Sequence, residues 1–226
     1  MTISDLATAT TAADTRFRID LWTDLGCPWC YVGKQRLQTA IDQSGFADRV
    51  DLVLRSFELD PNTPDEPISI PEVFVKKHGG SPETALRMEE QIKQLANAEG
   101  LPFTVDRMHA NTLTVHRVLK LAQHHGAANP FFTALQRGHF AGSLNPFDPE
   151  TLVSVAVVAG IFEAEVREVI AGDAFTDEVR RDEAEARAIG VTGVPFTVFD
   201  ERLAASGAQS VEGYRSALQQ AFGDRA

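Results

Sequence analysis

The feature that most constrains this chain is the segment LWTDLGCPWCY, residues 21–31, which contains both of its cysteines. The alternating apolar residues Phe17, Ile19 and Leu21 before it are typical of a strand. Pro28 suits the first turn of a helix, where its missing N–H costs nothing. The segment therefore predicts a strand followed by a helix, with one cysteine at the start of the helix and the other one turn further in.

This placement makes the two thiols a plausible redox couple. The N-terminus of a helix carries about half a positive charge and unpaired N–H groups, and both favour a thiolate, which is the nucleophilic form. Positions i and i+3 share a helix face, so the sulfurs are close enough to bridge. We predict that Cys27 is the exposed nucleophile and Cys30 the buried resolving thiol. Pro28 would restrict the backbone between them, and Trp29 would lie near the exposed sulfur.

Three other roles for the cysteines compete with this one. A structural disulfide is disfavoured because residues 1–16, MTISDLATATTAADTR, lack the basic and apolar regions of a secretory signal. A zinc site needs two further ligands, and the six histidines offer only loose spacing. Two ordinary core cysteines are the third alternative. We predict no metal site.

Net charge and hydropathy limit the classes of molecule that this protein is expected to bind. The net charge is −11 and the pI about 5.0, which argues against nucleic acid and against an anionic membrane surface. No run of about 18 apolar residues predicts a transmembrane helix. We therefore expect a cytoplasmic protein, with residues 1–16 forming a flexible polar tail.

The order of predicted elements indicates an α/β fold with a helical insertion. A strand at 17–21, a helix from residue 28 and a second strand at 50–57 form a β-α-β unit. Helical signals then fill residues 69–190. A capping residue precedes proline at three predicted helix starts, Ser81-Pro82, Asn129-Pro130 and Asp148-Pro149. Strands at 195–199 and 202–206, joined by a turn at Asp200-Glu201, precede a last helix that begins at Ser210. The predicted boundaries are residues 17–68 and 191–226 for the α/β domain and 69–190 for an inserted all-helical subdomain.

Three positions outside the cysteine segment are further candidates for the site. Val194-Pro195 follows Gly193, and X-Pro bonds adopt the cis form far more readily than other peptide bonds; an ordinary loop entering a strand is the alternative. Asp24 either accepts a proton or holds the turn before Cys27. His116 either tunes the thiolate and contacts substrate, or is an interior histidine.

Together these segments resemble the DsbA-like branch of the thioredoxin superfamily, in particular its FrnE-like group. The matching stretches are DLGCPWCYVGKQRL at 24–37, NTLTVHRVLKLA at 111–122 and GVTGVPFTVFDERLAASGAQ at 190–209. The resemblance implies a thioredoxin fold with a large all-helical insertion and a cis Pro195 beside Cys27. Two residues depart from the family's pattern. Gly26 replaces a commonly apolar residue, and Val115 replaces a frequent alanine.

The predicted function is thiol-disulfide exchange or isomerisation on a thiol- or disulfide-containing protein or small molecule. No cofactor is expected, although glutathione could serve as the reductant. The alternative is a glutathione-dependent transferase or isomerase of the kappa or 2-hydroxychromene-2-carboxylate isomerase type. Those relatives typically lack the second cysteine, so Cys30 argues against them. The protein is expected to be a monomer or a homodimer, and its redox potential cannot be predicted from the sequence.

Overall fold

A computed structural model describes residues 16–225, so the predicted tail lies almost entirely outside the described residues. Within them the strands are β1 (Phe17–Thr23), β2 (Val50–Ser56), β3 (Ile68–Ser69), β4 (Met108–His109), β5 (Phe196–Phe199) and β6 (Leu203–Ser206). The helices are α1 (Pro28–Asp42), α2 (Ile70–His78), α3 (Pro82–Ala98), α4 (Leu113–His124), α5 (Ala128–Ala141), α6 (Pro149–Val158), α7 (Glu163–Ala171), α8 (Thr176–Ala188) and α9 (Val211–Phe222).

The main sheet has the strand order β2-β1-β5-β6. β1 is parallel to β2 and antiparallel to β5, so Leu21 pairs with Leu54 on one side and with Thr197 on the other. Because β1 is a central strand covered on both faces, nearly all its residues are buried. The predicted β-α-β unit and the later hairpin are confirmed, and the C-terminal end of β1 leads directly into the segment with the cysteines.

The turn between β5 and β6 is held without glycine. Asp200 and Glu201 both have positive φ angles, 53° and 56°, as the two central residues of a tight hairpin turn require. The Asp200 N–H donates to the Arg18 carbonyl at 2.9 Å, and its carboxylate accepts from Arg225 Nη2 at 2.6 Å. These tertiary contacts hold a conformation for which the local sequence carries no Asn-Gly signal.

The segment between the two parts of the sheet is helical, as predicted, with one small addition. β3 and β4 form an antiparallel pair in which Ile68 lies opposite His109. Helix α2 was not predicted, and α5 begins before the expected cap at Asn129, with Ala127 as its N-cap. The strand pair matters for the site because β4 carries His109, and the pairing with Ile68 fixes its backbone.

One apolar core joins the sheet to the helices. It includes Phe17, Ile19 and Leu21 of β1 together with buried residues of α1, α4, α5, α6, α7 and α9. On the opposite face of β1, the Trp22 indole N–H donates to the Asp182 carbonyl of α8 at 2.9 Å. Within residues 16–225, no helix is both long and apolar enough to cross a membrane.

Candidate active site

The two cysteines lie at the N-terminus of α1, as the sequence predicts. Cys27 is the N-cap residue, and its carbonyl accepts the first helical hydrogen bonds, from the N–H groups of Cys30 at 3.1 Å and Tyr31 at 3.2 Å. Pro28 occupies the first turn. Both cysteines are free thiols, and the Cys27 side chain lies close enough to Cys30 to raise the pKa of its thiol. The two sulfurs therefore share one environment, as a redox couple requires.

The loop before β5 meets Cys27 directly. The Val194–Pro195 peptide bond is cis, as the resemblance implies. The Cys27 thiol donates to the Val194 carbonyl oxygen at 3.6 Å. α1 can lie this close because Gly33 has no side chain: a Cβ there would be 2.9 Å from Pro195 Cγ. The fold thus brings together Cys27, Val194 and Pro195 from distant parts of the sequence.

Cys30 lies in a closed environment behind Cys27. It has no exposed surface, and burial is the main reason why its pKa is raised well above the usual value for a thiol. The adjacent Cys27 sulfur raises the pKa of Cys30 further, whereas hydrogen bonds from the Asp24 backbone and the Thr23 side chain act in the opposite direction. Cys30 is thus protected from solvent, and its raised pKa keeps the thiol protonated.

Asp24 holds the turn that precedes Cys27. Its Oδ2 accepts from the Leu59 N–H at 2.8 Å, and its Oδ1 accepts from the Gly26 N–H at 3.4 Å. Burial acts to raise the pKa of Asp24, but the His116 side chain and the Leu59 N–H outweigh it, so the pKa is lowered. A buried carboxylate that stays ionised can hold the turn and also accept a proton, so the geometry is compatible with both predicted roles.

His116 is fully buried and faces Asp24 from helix α4. Its Nε2 lies 3.4 Å from Asp24 Oδ1, and neither ring nitrogen has a partner with good hydrogen-bond geometry. Buried polar groups are normally hydrogen-bonded, so this ring is a poorly satisfied one. His116 therefore contacts Asp24 and has no exposed surface of its own.

The structure corrects one prediction about exposure. Cys27 is only 4% exposed, so the expectation of an exposed nucleophile is wrong. The neighbouring Trp29, by contrast, is 41% exposed on the surface beside the thiols. Access to Cys27 is instead through a cavity of about 190 Å³ that it lines. The cavity is also lined by residues that include Leu59, Thr63, Ile70, Val73, Phe74, Ala110 and Thr112.

His109 lines this cavity, although the sequence indicated it only as a loosely spaced metal ligand and not as part of the thiol site. A Cβ on Gly26 would lie 2.3 Å from His109 Cε1, so the imidazole fills the space that a side chain at position 26 would need. The His109 ring therefore explains why glycine is found at position 26, where the resembling family commonly has an apolar residue. Arg107 and Glu89 also line the cavity, and they form a buried ion pair in which Arg107 Nη1 lies 2.6 Å from the Glu89 carboxylate. In the sequence, the glycine at position 26 was the only indication of this contact, because His109 comes from the distant strand β4.

In the part of the chain that the structure describes, no group of three or more histidine, cysteine or acidic side chains is arranged to hold a metal ion. The site is defined by sulfur, a cis-proline loop and a buried carboxylate. These features, on a four-stranded mixed sheet, define a thioredoxin-fold protein with a dithiol at a helix N-terminus.

Comparisons with known proteins place the chain more closely. Residues 18–219 match the model of the DSBA-like thioredoxin domain. A crystal structure from Streptomyces coelicolor, described as a "probable DsbA oxidoreductase", is 42% identical, with a TM-score of 0.87 over 93% of this chain and 92% of that one. The chain belongs to the DSBA-like thioredoxin domain family and is a disulfide oxidoreductase or isomerase by class. A search of curated proteins gave no match.

Two more distant structures share the fold. The cytosolic disulfide reductase DsbM from Pseudomonas aeruginosa, solved with glutathione, is 17% identical and has a TM-score of 0.60, over 90% of this chain and 98% of that one. A 2-hydroxychromene-2-carboxylate isomerase is also 17% identical, with a TM-score of 0.65 over 90% of this chain and 95% of that one. At this identity the likeness concerns the fold alone.

Proposed function

We propose that the protein exchanges thiols and disulfides through the Cys-Pro-Trp-Cys segment, with Cys27 as nucleophile and Cys30 as resolving thiol. The observation that carries the proposal is the position of Cys27. It is the N-cap residue of α1, its side chain raises the pKa of the neighbouring Cys30, and its thiol donates to the carbonyl of Val194. Cys27 also lines the cavity, whereas Cys30 is closed off from solvent. This asymmetry fits an order of attack in which Cys27 reacts first.

The reaction balances as two exchanges of sulfur. The Cys27 thiolate attacks one sulfur of a substrate disulfide, forms a mixed disulfide and releases the other substrate sulfur as a thiolate. The Cys30 thiol then loses its proton and attacks Cys27 Sγ, which releases the second substrate thiolate and forms the Cys27–Cys30 disulfide. The enzyme loses two electrons and the substrate gains them. The reverse sequence oxidises a dithiol substrate.

Asp24 and His116 fit roles that support this chemistry. The Asp24 carboxylate fixes the backbone just before Cys27 by accepting from two N–H groups. The His116 side chain and the Leu59 N–H lower the pKa of Asp24 and so keep it ionised. We assign to Asp24 the acceptance of the Cys30 proton, which must leave before the second step, because the Asp24 backbone contacts Cys30. His116 positions that carboxylate from the opposite side. Neither side chain forms a bond to substrate in this scheme.

The cysteine variants test the order of attack. Cys27→Ser should lower the rate of disulfide exchange with a model protein disulfide by about a hundredfold or more, because no thiol remains to begin the reaction. Cys30→Ser should instead accumulate a covalent mixed disulfide with the substrate, detected by mass spectrometry of the intact protein. Each variant keeps one thiol and serves as the other's control. Equal trapping by both variants would contradict the assigned order.

The same pair of variants separates the alternative function. A transferase or isomerase of the kappa or 2-hydroxychromene-2-carboxylate type needs no resolving thiol, so Cys30→Ser would keep such an activity with added glutathione. We expect Cys30→Ser to lose multiple-turnover exchange, with glutathione acting, where it reacts, as a reductant of the Cys27–Cys30 disulfide. Membership of the FrnE-like group, a cytoplasmic location and a monomeric or dimeric state remain predictions.

A further inference from the structure

A second pocket lies between α1 and α5, away from the cavity at Cys27. We call it the α1–α5 pocket; its volume is about 190 Å³, enough for several water molecules or a compact polyatomic ion. It is lined by Tyr31, Lys34, Gln35, Gln38, Leu101, Asn129, Thr133, Gln136 and Arg137. It shares only helix α1 with the site described above.

Lys34 is a buried cation with little to balance its charge. It is 5% exposed, and the hydrogen bond found for its ammonium is one of 2.5 Å to Thr133 Oγ1. An ammonium group has three protons to donate, so this one is incompletely satisfied. Burial lowers the pKa of Lys34 to about 8. A buried charge is costly unless it is paired. An anion bound in the pocket would therefore stabilise the Lys34 ammonium.

The other buried lysine and arginine side chains of the described chain each have a counter-charge or several acceptors, although Arg107 Nε and Nη2 have no hydrogen-bond partner. Arg107 pairs with Glu89, and Lys120 pairs with Asp182. The Arg117 guanidinium donates to three backbone carbonyls, those of Val169, Gly172 and Ala174. Among the buried cations of residues 16–225, Lys34 therefore stands apart in having neither a carboxylate nor a set of carbonyls around it.

The rest of the lining reinforces this positive character. Arg137 is a second cation, and no salt bridge links it to a carboxylate in the described residues. The buried Gln136 Nε2 is a donor without a partner. No aspartate or glutamate is found in the described lining, although the chain as a whole has a net charge of −11. The charge of the pocket itself is therefore positive, which favours an anionic ligand over a cationic one.

We propose that the α1–α5 pocket binds a small oxyanion, such as a phosphate, sulfate or carboxylate group, through Lys34, Gln136 and Arg137. The Lys34 ammonium supplies charge and up to two free donors, and the Gln136 amide supplies a further N–H. The Arg137 guanidinium, at the mouth, offers the planar fork that suits two oxygens. The site is independent of the thiol chemistry and would hold even if that assignment failed.

The pH dependence of binding follows from Lys34. A bound anion favours the protonated lysine, so affinity is full below about pH 8, the pKa of Lys34 without ligand. Above it, binding must first protonate the amine, and Kd should rise by up to about tenfold per pH unit until the pKa of the bound state is reached. Sulfate is the suitable probe, since its own charge is constant over this range.

Isothermal titration of the full chain with sodium sulfate tests the proposal, with sodium chloride added to hold the ionic strength constant. Wild type should show saturable binding, and Lys34→Met should raise Kd by about tenfold or more, as loss of a charge-assisted contact does. Lys93→Met, which removes an equal charge from a partly exposed lysine paired with Glu90, is the matched control and should bind as wild type does.

Arg137→Gln keeps the test valid if Lys34→Met does not fold, because Arg137 is exposed, and it should also weaken sulfate binding. A parallel titration with sodium succinate distinguishes a tetrahedral oxyanion from a carboxylate as the preferred ligand, and saturable binding of either supports the site. Absence of saturable binding for both salts overturns the proposal. So does binding that Lys34→Met and Arg137→Gln leave unchanged, or that Lys93→Met weakens equally.

Discussion

Because Gly26 has no side chain, the His109 ring can occupy the space next to the residue that precedes Cys27. A Cβ at this position would lie 2.3 Å from His109 Cε1 and 2.6 Å from His109 Nδ1, closer than atoms pack. The backbone of Gly26 does not require glycine, because its φ is not among the positive values. The requirement comes from the neighbouring ring alone.

We predict that Gly26→Ala destabilises the protein by about 1–3 kcal/mol, because the added methyl group forces the His109 ring to move. In the background of His109→Ala the same change should cost less than about 0.5 kcal/mol, since the space is then free. Urea denaturation of the wild type, both single variants and the double variant gives the coupling free energy. An equal loss in both backgrounds would show that the two residues do not compete for space.

Residue types and local spacing were sufficient to predict where the thiols lie, because Cys27 and Cys30 fall within a segment of four residues. The cis bond at Pro195 followed only from the resemblance to the DsbA-like branch, since the local sequence left an ordinary loop as the alternative. The low exposure of Cys27 could not be predicted, because it depends on how the loop with Val194 and strand β4 with His109 lie against the start of α1. Burial of a helix N-terminus is a property of the tertiary structure.

At the scale of elements, a capping residue followed by proline marked the helix start at two of the three predicted places, and failed at Asn129-Pro130 of α5. α3 and α6 begin at Pro82 and Pro149, after Ser81 and Asp148, as predicted. α2 was missed although Ser69 and Glu72 form a capping box, a signature visible in the sequence. β3 and β4 have two residues each, too few for an alternating pattern to identify them.

A buried charge network fixes α4 and α8 against β2. The Asp182 carboxylate accepts from Lys120 Nζ, from Arg55 Nη1 at 2.8 Å and from the Ser56 N–H at 2.8 Å. Lys120 belongs to α4, and Arg55 and Ser56 belong to β2, so the Asp182 carboxylate joins α8 to both of these elements. The two ends of this network are not equivalent, because Asp182 has several partners whereas Lys120 depends mainly on Asp182, with one further bond to Gln123 at 3.1 Å.

We predict that Asp182→Ala lowers the free energy of unfolding by about 3–5 kcal/mol, because it leaves the Lys120 ammonium buried without its counter-charge. Lys120→Met should cost less, about 1–3 kcal/mol, since Asp182 keeps Arg55 and the Ser56 N–H. Arg215→Met, at an exposed pair with Glu212, is the control and should change stability by less than about 0.5 kcal/mol. Urea denaturation at neutral pH measures all three. A larger loss for Lys120→Met than for Asp182→Ala would contradict this order.

At the scale of the whole molecule, the sheet and the helical segment are joined by packing as well as by chain connections. The main core contains Phe17 and Leu54 of the sheet together with Val118 of α4 and Phe131 of α5, in one contiguous cluster. The face behind it is closed by α8, through the hydrogen bond from Trp22. A core shared in this way couples the unfolding of both parts.

The two tryptophans allow this coupling to be measured, because both lie in the β-α-β part of the chain whereas most helix lies between residues 69 and 190. We predict that urea unfolding followed by tryptophan fluorescence and by far-ultraviolet circular dichroism gives coincident transitions. The Trp29→Phe variant is the control, since the remaining Trp22 is buried and bonded to α8, whereas Trp29 is exposed beside the thiols. A helical signal that persists after the Trp22 transition is complete would mean that the helices form a separate folding unit. In that case the shared core would contribute little to cooperativity, and the insertion would be a domain in its own right.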